Sequence, residues 1–220
     1  FAWLRHFKKS MEIPTPIYNH VSNYDVYEPA EDTFLLLDAL EKEQDYLKAL
    51  RPTIALEVGC GSGVVSAFLA TILGDSTAYF CTDRNQSAAS CCVETSAANH
   101  VTINPVLTDL STSFLPRFEH SVDVLIFNPP YVVTPPHEVE VNGITASWAG
   151  GVDGRQVMNR FFKQVPNLLS NRGVLYLVVI RENKPDEIRE IFNEMGFLCE
   201  VVMTRRSGPE FLMILKFVRK

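Results

Sequence analysis

Asn128-Pro129-Pro130-Tyr131 carries the most specific chemistry in the sequence. Two successive prolines fix the backbone and remove two amide donors, leaving the Asn128 side-chain oxygen and the Pro129 carbonyl oxygen as paired acceptors. Such a pair can hold both hydrogens of a planar NH2 group and turn its nitrogen toward a sulfonium methyl placed in line. Catalysis is then chiefly positioning, with reacting atoms about 3 to 3.5 Å apart and no strong base required. Tyr131 is placed to stack on the flat group or to wall it. A bare proline turn leaving a strand is the competing reading, and the residues upstream argue against it.

Those upstream residues form a second constellation. Glu57-Val58-Gly59-Cys60-Gly61-Ser62-Gly63 follows an apolar run and opens a helical pattern. Glycines there make the sharp turn and let the backbone approach a ligand. The spacing places Gly59, Gly61 and Gly63 at every second position. A dinucleotide fingerprint wants its third small residue at position 64, which is Val64, so a pyrophosphate site fits less well. Glu57, Asp83 and Asp109 each end or follow a predicted strand and converge on the carboxyl edge of a sheet, where open α/β sheets bind ligands. Asp83 can accept from both hydroxyls of a ribose. Asp109 can accept from an adenine amino group, with the Leu110 amide facing the ring; such bonds to a charged acceptor are the stronger kind. An NAD enzyme shares the logic at Asp83 and is the main competitor for this half of the site. Each acid alone reads more readily as a cap or a turn residue; in joint register after successive strands the ligand reading takes over.

The elements that must position these groups alternate in the rhythm of βαβ units. Strands are expected at 54–58, 77–82, 101–107, 122–127, 174–180, 198–204 and 211–218. Val65, Phe68, Leu69 and Ile72 mark one helix face closed by Gly74; Ile188, Ile191, Phe192 and Met195 mark another, opened by Pro185 and closed by Gly196. A further helix is expected over 154–169, ended or bent at Pro166. Residues 31–50 read as one amphipathic helix through Leu36, Leu40, Leu47 and Leu50. The last two strands are joined only by residues 205–210, too few for a parallel crossover, so they form a hairpin and one of them is antiparallel. The fold class is therefore α/β: a seven-stranded, Rossmann-like methyltransferase sheet, mostly parallel, with an antiparallel C-terminal hairpin.

Length and composition bound the rest. A chain of 220 residues with 46% hydrophobic content supports one sizeable core. No apolar run approaches the roughly 20 residues of a membrane span, which implies a soluble protein with no membrane partner. The five cysteines show no C-x-x-C pair and no histidine at ligand spacing, so no disulfide framework and no metal site is expected. Their scatter suits a reducing, cytoplasmic or nuclear, compartment. Residues 1–10 do not begin with methionine and Met11 follows them, so Met11 is taken as the start. A cut-down basic targeting segment is the rival reading. Arg5, Lys8 and Lys9 meet no acid in that stretch; without these three positive charges the net charge of −6 becomes −9. An acidic body gives the phosphates of free nucleic acid no obvious footprint. Residues 1–24 are expected to be poorly structured, and 25–220 to form the catalytic domain.

Taken together, Tyr27-Glu28-Pro29-Ala30-Glu31-Asp32-Thr33, the Glu57 to Gly63 loop, Asp83, Thr108-Asp109-Leu110, Asn128-Pro129-Pro130-Tyr131-Val132-Val133-Thr134-Pro135, Trp148-Ala149-Gly150-Gly151 and Gly154-Arg155 resemble the eukaryotic HemK-like glutamine methyltransferases. The likeness runs from about Asp25 to the C-terminus. It implies transfer of a methyl group from S-adenosylmethionine to the glutamine amide in the Gly-Gly-Gln motif of a class I peptide-chain release factor. It implies cofactor contacts from Thr33, Glu57, Gly59, Asp83, Asp109, Leu110 and Asn128, with Asn128 also on the substrate amide. Cys60 stands where many relatives are expected to carry serine, a change of little cost in a loop that binds through its backbone. The resemblance further implies a small zinc-binding activator subunit that adds a strand to the uncharged edge strand 101–107. Three alternatives remain open. Lysine methylation on a histone tail suits the acidic body but requires an ammonium of pKa about 10.4 to lose its proton first. Adenine or guanine amino methylation would use the same Asn-Pro-Pro-Tyr logic with a basic groove added. A non-catalytic scaffold would dispense with Asp83 or Asn128, and both are present.

Overall fold

The computed structural model describes residues 13–140 and 144–220; residues 1–10 and the expected start at Met11 lie outside them. The chain runs α1 (Glu31–Lys42), α2 (Gln44–Leu50), β1 (Ile54–Val58), α3 (Val64–Leu73), β2 (Ala78–Asp83), α4 (Gln86–Ala98), β3 (Ile103–Leu107), β4 (Val122–Phe127), β5 (Val132–Val133), β6 (Ala149–Gly151), α5 (Gln156–Phe162), α6 (Val165–Leu168), β7 (Leu169–Ile180), α7 (Pro185–Glu194), β8 (Phe197–Ser207) and β9 (Glu210–Arg219). The main sheet has seven strands in the order β3-β2-β1-β4-β7-β9-β8. All its pairings are parallel except those of β9, which lies antiparallel to β7 and to β8. β5 and β6 form a separate two-stranded ribbon.

Sequence explains the layers. Val122-Asp123-Val124-Leu125-Ile126-Phe127 is buried at every position, as a parallel strand covered on both faces must be. Each fully buried Leu or Phe of such a run contributes about 1.5–3 kcal/mol. Asp123 is tolerated in that run because it accepts from the Thr53 amide and hydroxyl, the Ser170 hydroxyl and Arg172. On the far side of the sheet, Phe192 of α7 stacks on Phe217 of β9 with ring centres 4.1 Å apart.

Several expected boundaries move. The helix foreseen over 31–50 breaks at Glu43, although no Pro or Gly stands there. Its carboxylate takes Lys216 and the Tyr176 hydroxyl from the sheet, so a tertiary anchor places the break. The helix foreseen over 154–169 divides into a short 3-10 turn, α5 and α6, and Pro166 sits in the first turn of α6 instead of ending a helix, where its missing N–H costs nothing. Residues 169–173 extend β7 across an irregular register with β4. The helix α4 was not foreseen; its Ala, Ser, Thr and Cys content gives a faint apolar stripe, and Asn85 caps it by accepting from the Ser87 amide. Residues 13–24, expected to lack order, are tied across α1 and α4. The Ile13 amide donates to Glu41, Ile17 exchanges both backbone bonds with Asn99, and His20 meets Thr95.

Candidate active site

The carboxyl ends of β1, β2, β3 and β4, with the first turn of α1, enclose a cavity of about 350 Å³, within the range of small-molecule sites. Thr33, Glu57, Gly59 and Gly61 line it, as do Asp83, Asp109, Leu110, Asn128 and Pro129. The residues singled out by spacing therefore share one wall, with two exceptions. Gly63 lies behind the cavity at the start of α3. It has φ 77°, and a side chain there would meet Cys92 of α4 at 2.8 Å, so this glycine serves helix packing. Tyr131 does not wall the cavity either. Its ring is buried, and burial together with the nearby Asp32 and Glu210 charges raises its phenol pKa.

The glycine loop and the acids are mutually ordered. The Gly61 amide donates to Asp83 at 3.1 Å and the Asn85 amide donates to its other oxygen at 2.9 Å. Burial raises the Asp83 pKa, and these backbone donors oppose the rise. Glu57 is 4% exposed. It accepts from the Ser66 amide at 3.0 Å and from the Ser66 hydroxyl, which ties the end of β1 to the first turn of α3. Burial pushes its carboxyl up to about 8. Asp109 pairs with Arg160 of α5, which also lines the cavity, and Leu110 follows in a left-handed conformation with φ 52°, an arrangement that non-glycine residues adopt only when their surroundings hold them.

The chemical end turns on a residue that spacing did not single out as a site residue. Asp32, 3% exposed, accepts from the Asn128 side-chain NH2 at 3.0 Å. Its other oxygen accepts from the Thr33 amide at 2.7 Å and the Tyr27 hydroxyl at 3.2 Å. A carboxylate can only accept, so the Asn128 amide must present its nitrogen to Asp32 and its oxygen elsewhere. That oxygen is buried and has no hydrogen-bond partner among the described residues. A buried, unpaired acceptor is costly. Asn128 lines the cavity, so a hydrogen-bond donor on a ligand there could satisfy it.

The backbone behind Asn128 is braced from the opposite side. Asn183, fully buried, donates to the carbonyls of Tyr131 at 2.8 Å and Asp153 at 3.0 Å, and accepts from the Ile180 amide. A side chain at Gly154 would strike the Tyr131 carbonyl at 2.0 Å, and one at Gly150 would strike the Pro130 carbonyl at 2.7 Å. The Trp148 to Gly151 and Gly154 segments are thus a clamp on the Asn-Pro-Pro-Tyr turn. The fold also gathers what sequence spacing left scattered: Cys60, Cys81 and Cys92 bring their sulfurs within 4.8 Å of one another beneath the glycine loop. Spacing along the chain could not show this grouping, because the three cysteines come from a loop, a strand and a helix.

A parallel sheet with one antiparallel strand, a glycine loop after β1 and Asn-Pro-Pro-Tyr after β4 define a class I methyltransferase. A family model described as the methyltransferase small domain matches residues 24–144. The chain is 54% identical over 208 residues to methyltransferase HEMK2 of Homo sapiens, covering 93% of this chain and 96% of that protein. It is 39% identical over 207 residues to the eRF1 methyltransferase catalytic subunit mtq2 of Schizosaccharomyces pombe, covering 89% and 90%. Among solved structures, the E. cuniculi Mtq2-Trm112 complex, described as responsible for methylation of the eRF1 translation termination factor, aligns with TM-score 0.67 and 32% identity, covering 89% of this chain and 99% of that one. The chain belongs to the HemK-like protein-glutamine methyltransferase family.

Proposed function

We propose that the chain binds S-adenosylmethionine in this cavity and transfers its methyl group to the side-chain amide nitrogen of a glutamine in the Gly-Gly-Gln loop of a class I peptide-chain release factor. The observation that carries this reading is the unpaired Asn128 oxygen, oriented by Asp32. With the Pro129 carbonyl of the same turn, also on the cavity lining, it offers two acceptors, which match the two hydrogens of an NH2 group better than the single hydrogen of a hydroxyl or thiol. The names of the relatives, an eRF1 methyltransferase subunit and a putative protein N5-glutamine methyltransferase of Methanocaldococcus jannaschii 30% identical over 193 residues, support the same acceptor.

When bound, the cofactor supplies a sulfonium-activated methyl group. Thr33, Glu57, Gly59, Gly61, Asp83, Asp109, Leu110 and Asn128 are the residues that would hold it, and Gly63 contributes by fixing the loop. Asp83 is suited to the ribose hydroxyls because the Gly61 and Asn85 amides hold both its oxygens in place. Asn128 and Pro129 would grip the glutamine NH2, strip its rotation and direct its nitrogen lone pair, a positioning role that requires no charged base. Tyr131 acts behind them as a buried support.

The uncharged edge strand β3, at one end of the sheet, suits an activator subunit that adds a strand, like the partner in the Mtq2-Trm112 complex; a small zinc-binding protein is the expected form. Methyl transfer assayed in parallel on a release factor, a histone tail and DNA tests the acceptor, with the release factor expected to be the preferred substrate. Calorimetry tests the cofactor: Asp83→Ala should weaken S-adenosylmethionine binding by about tenfold or more, the loss of one or two charged hydrogen bonds. Unchanged affinity, or tight binding of NAD, would remove this reading of the cavity.

A further inference from the structure

We propose that Cys60, Cys81 and Cys92 form a thiolate site for a soft, three-coordinate metal ion, Cu(I), set directly beneath the glycine loop. The three sulfurs lie within 4.8 Å of one another, and those of Cys81 and Cys92 are 3.4 Å apart. An ion bound trigonally at metal–sulfur distances of about 2.3 Å places its ligands about 4.0 Å apart, so small side-chain rotations complete the site. The ligands are prepositioned by three different elements: Cys60 by the loop, whose amide donates to the Thr82 carbonyl at 2.8 Å; Cys81 by β2, in register with Glu57; Cys92 by α4, against which Gly63 packs without a side chain.

The chemistry of the set selects the ion. All three side chains are buried, and among the described residues no carboxylate or imidazole joins the group. An all-sulfur set favours soft ions over magnesium, calcium or manganese. Zinc prefers a fourth ligand, and three sulfurs without a fourth suit Cu(I) better. Cys60 also lines the cavity, which supplies an entry path for the ion. Cys91, next to Cys92 in the chain, donates instead to the Ser62 carbonyl at 3.8 Å, and Cys199 stands on β8, at the far end of the sheet from β3. Binding exchanges thiol protons for the ion and releases them to solvent, so affinity rises with pH. An ion held there would tie loop, strand and helix together and stabilise the folded chain by mass action.

The experiment is an anaerobic titration of the reduced chain with Cu(I), in competition with a chromophoric Cu(I) chelator. The chain should take one equivalent from the chelator. Cys60→Ser removes a direct ligand and should weaken binding by about a hundredfold or more, since even changes behind a ligand cost about 10- to 100-fold, and Cys199→Ser should leave it unchanged. Copper should raise the melting temperature of the parent chain and not that of Cys60→Ser. Circular dichroism verifies that each variant is folded, and Cys81→Ala replaces Cys60→Ser if that variant is not. Copper left on the chelator, equal affinity in folded ligand variants, or preferential uptake of Zn(II) would overturn the proposal.

Discussion

Asn128 alone does not define an acceptor; Asp32 does. An asparagine amide can present either its oxygen or its nitrogen to a cavity, and the 3.0 Å bond from its NH2 to Asp32 selects the oxygen. Asp32→Asn would leave both orientations available. Turnover should then fall by about tenfold, the equivalent of one lost charged hydrogen bond, while cofactor affinity changes less; equal losses in both would make Asp32 a general structural residue. Glu57 carries a second prediction. Its folded pKa, about 8, lies above the ordinary 4.5, so the stability linked to it is fully present below about 4.5 and is lost as pH rises through about 8. Glu57→Gln should flatten this decline in chemical denaturation followed across that range, and an unchanged slope would show that the carboxyl ionises freely in the fold. Of the residues in this site, Glu57, Asp83, Asp109 and Asn128 were legible in the sequence because each stands at or just past the carboxyl end of a strand. Asp32 was not: it begins a helix nearly a hundred residues before Asn128, and within its own segment it reads as an ordinary first-turn acid. Asn183 and the cysteine trio were hidden for the same reason, since their meaning lies in contacts made only after the sheet assembles.

The elements that position the site divide by how locally they are encoded. β1, β4 and the C-terminal hairpin were readable because continuous β-branched and apolar runs, or a connection too short for a crossover, leave few alternatives. Helix α4 was not, because its buried Ala88, Cys91, Cys92 and Thr95 are small or weakly apolar and produce no clear periodicity. Tertiary anchors at Glu43 split a helix whose local sequence favours continuity. β3 brings the element scale to function. It is an edge strand without a charged residue, broken only by Pro105, and Leu107 is 51% exposed on it. Natural edges left in this state invite pairing. Leu107→Lys should weaken association with the activator subunit by about tenfold or more, measured by co-purification, and leave calorimetric cofactor affinity of the chain intact. Undiminished co-purification would move the partner to another surface.

At the scale of the molecule, two halves of a site meet across β1 and β4, adjacent strands in register from Ala55 with Val124 to Val58 with Phe127. The glycine loop leaves one strand and Asn-Pro-Pro-Tyr leaves the other, so the parallel pairing itself sets the distance between a ligand on the loop and an acceptor group on Asn128. The clamp of Asn183, Gly150 and Gly154 keeps that distance from drifting when the acceptor loop enters. The acidic body is compatible with a protein substrate and gives a nucleic acid little to hold. The most direct test of the account is to locate the methyl group by mass spectrometry on release factor incubated with S-adenosylmethionine and the chain with its activator subunit. The account predicts one methyl group on the glutamine of Gly-Gly-Gln, none when that glutamine is replaced by glutamate, and a rate about a hundredfold lower or less with Asn128→Ala. Methyl found only on lysine, or full activity in Asn128→Ala, would contradict it.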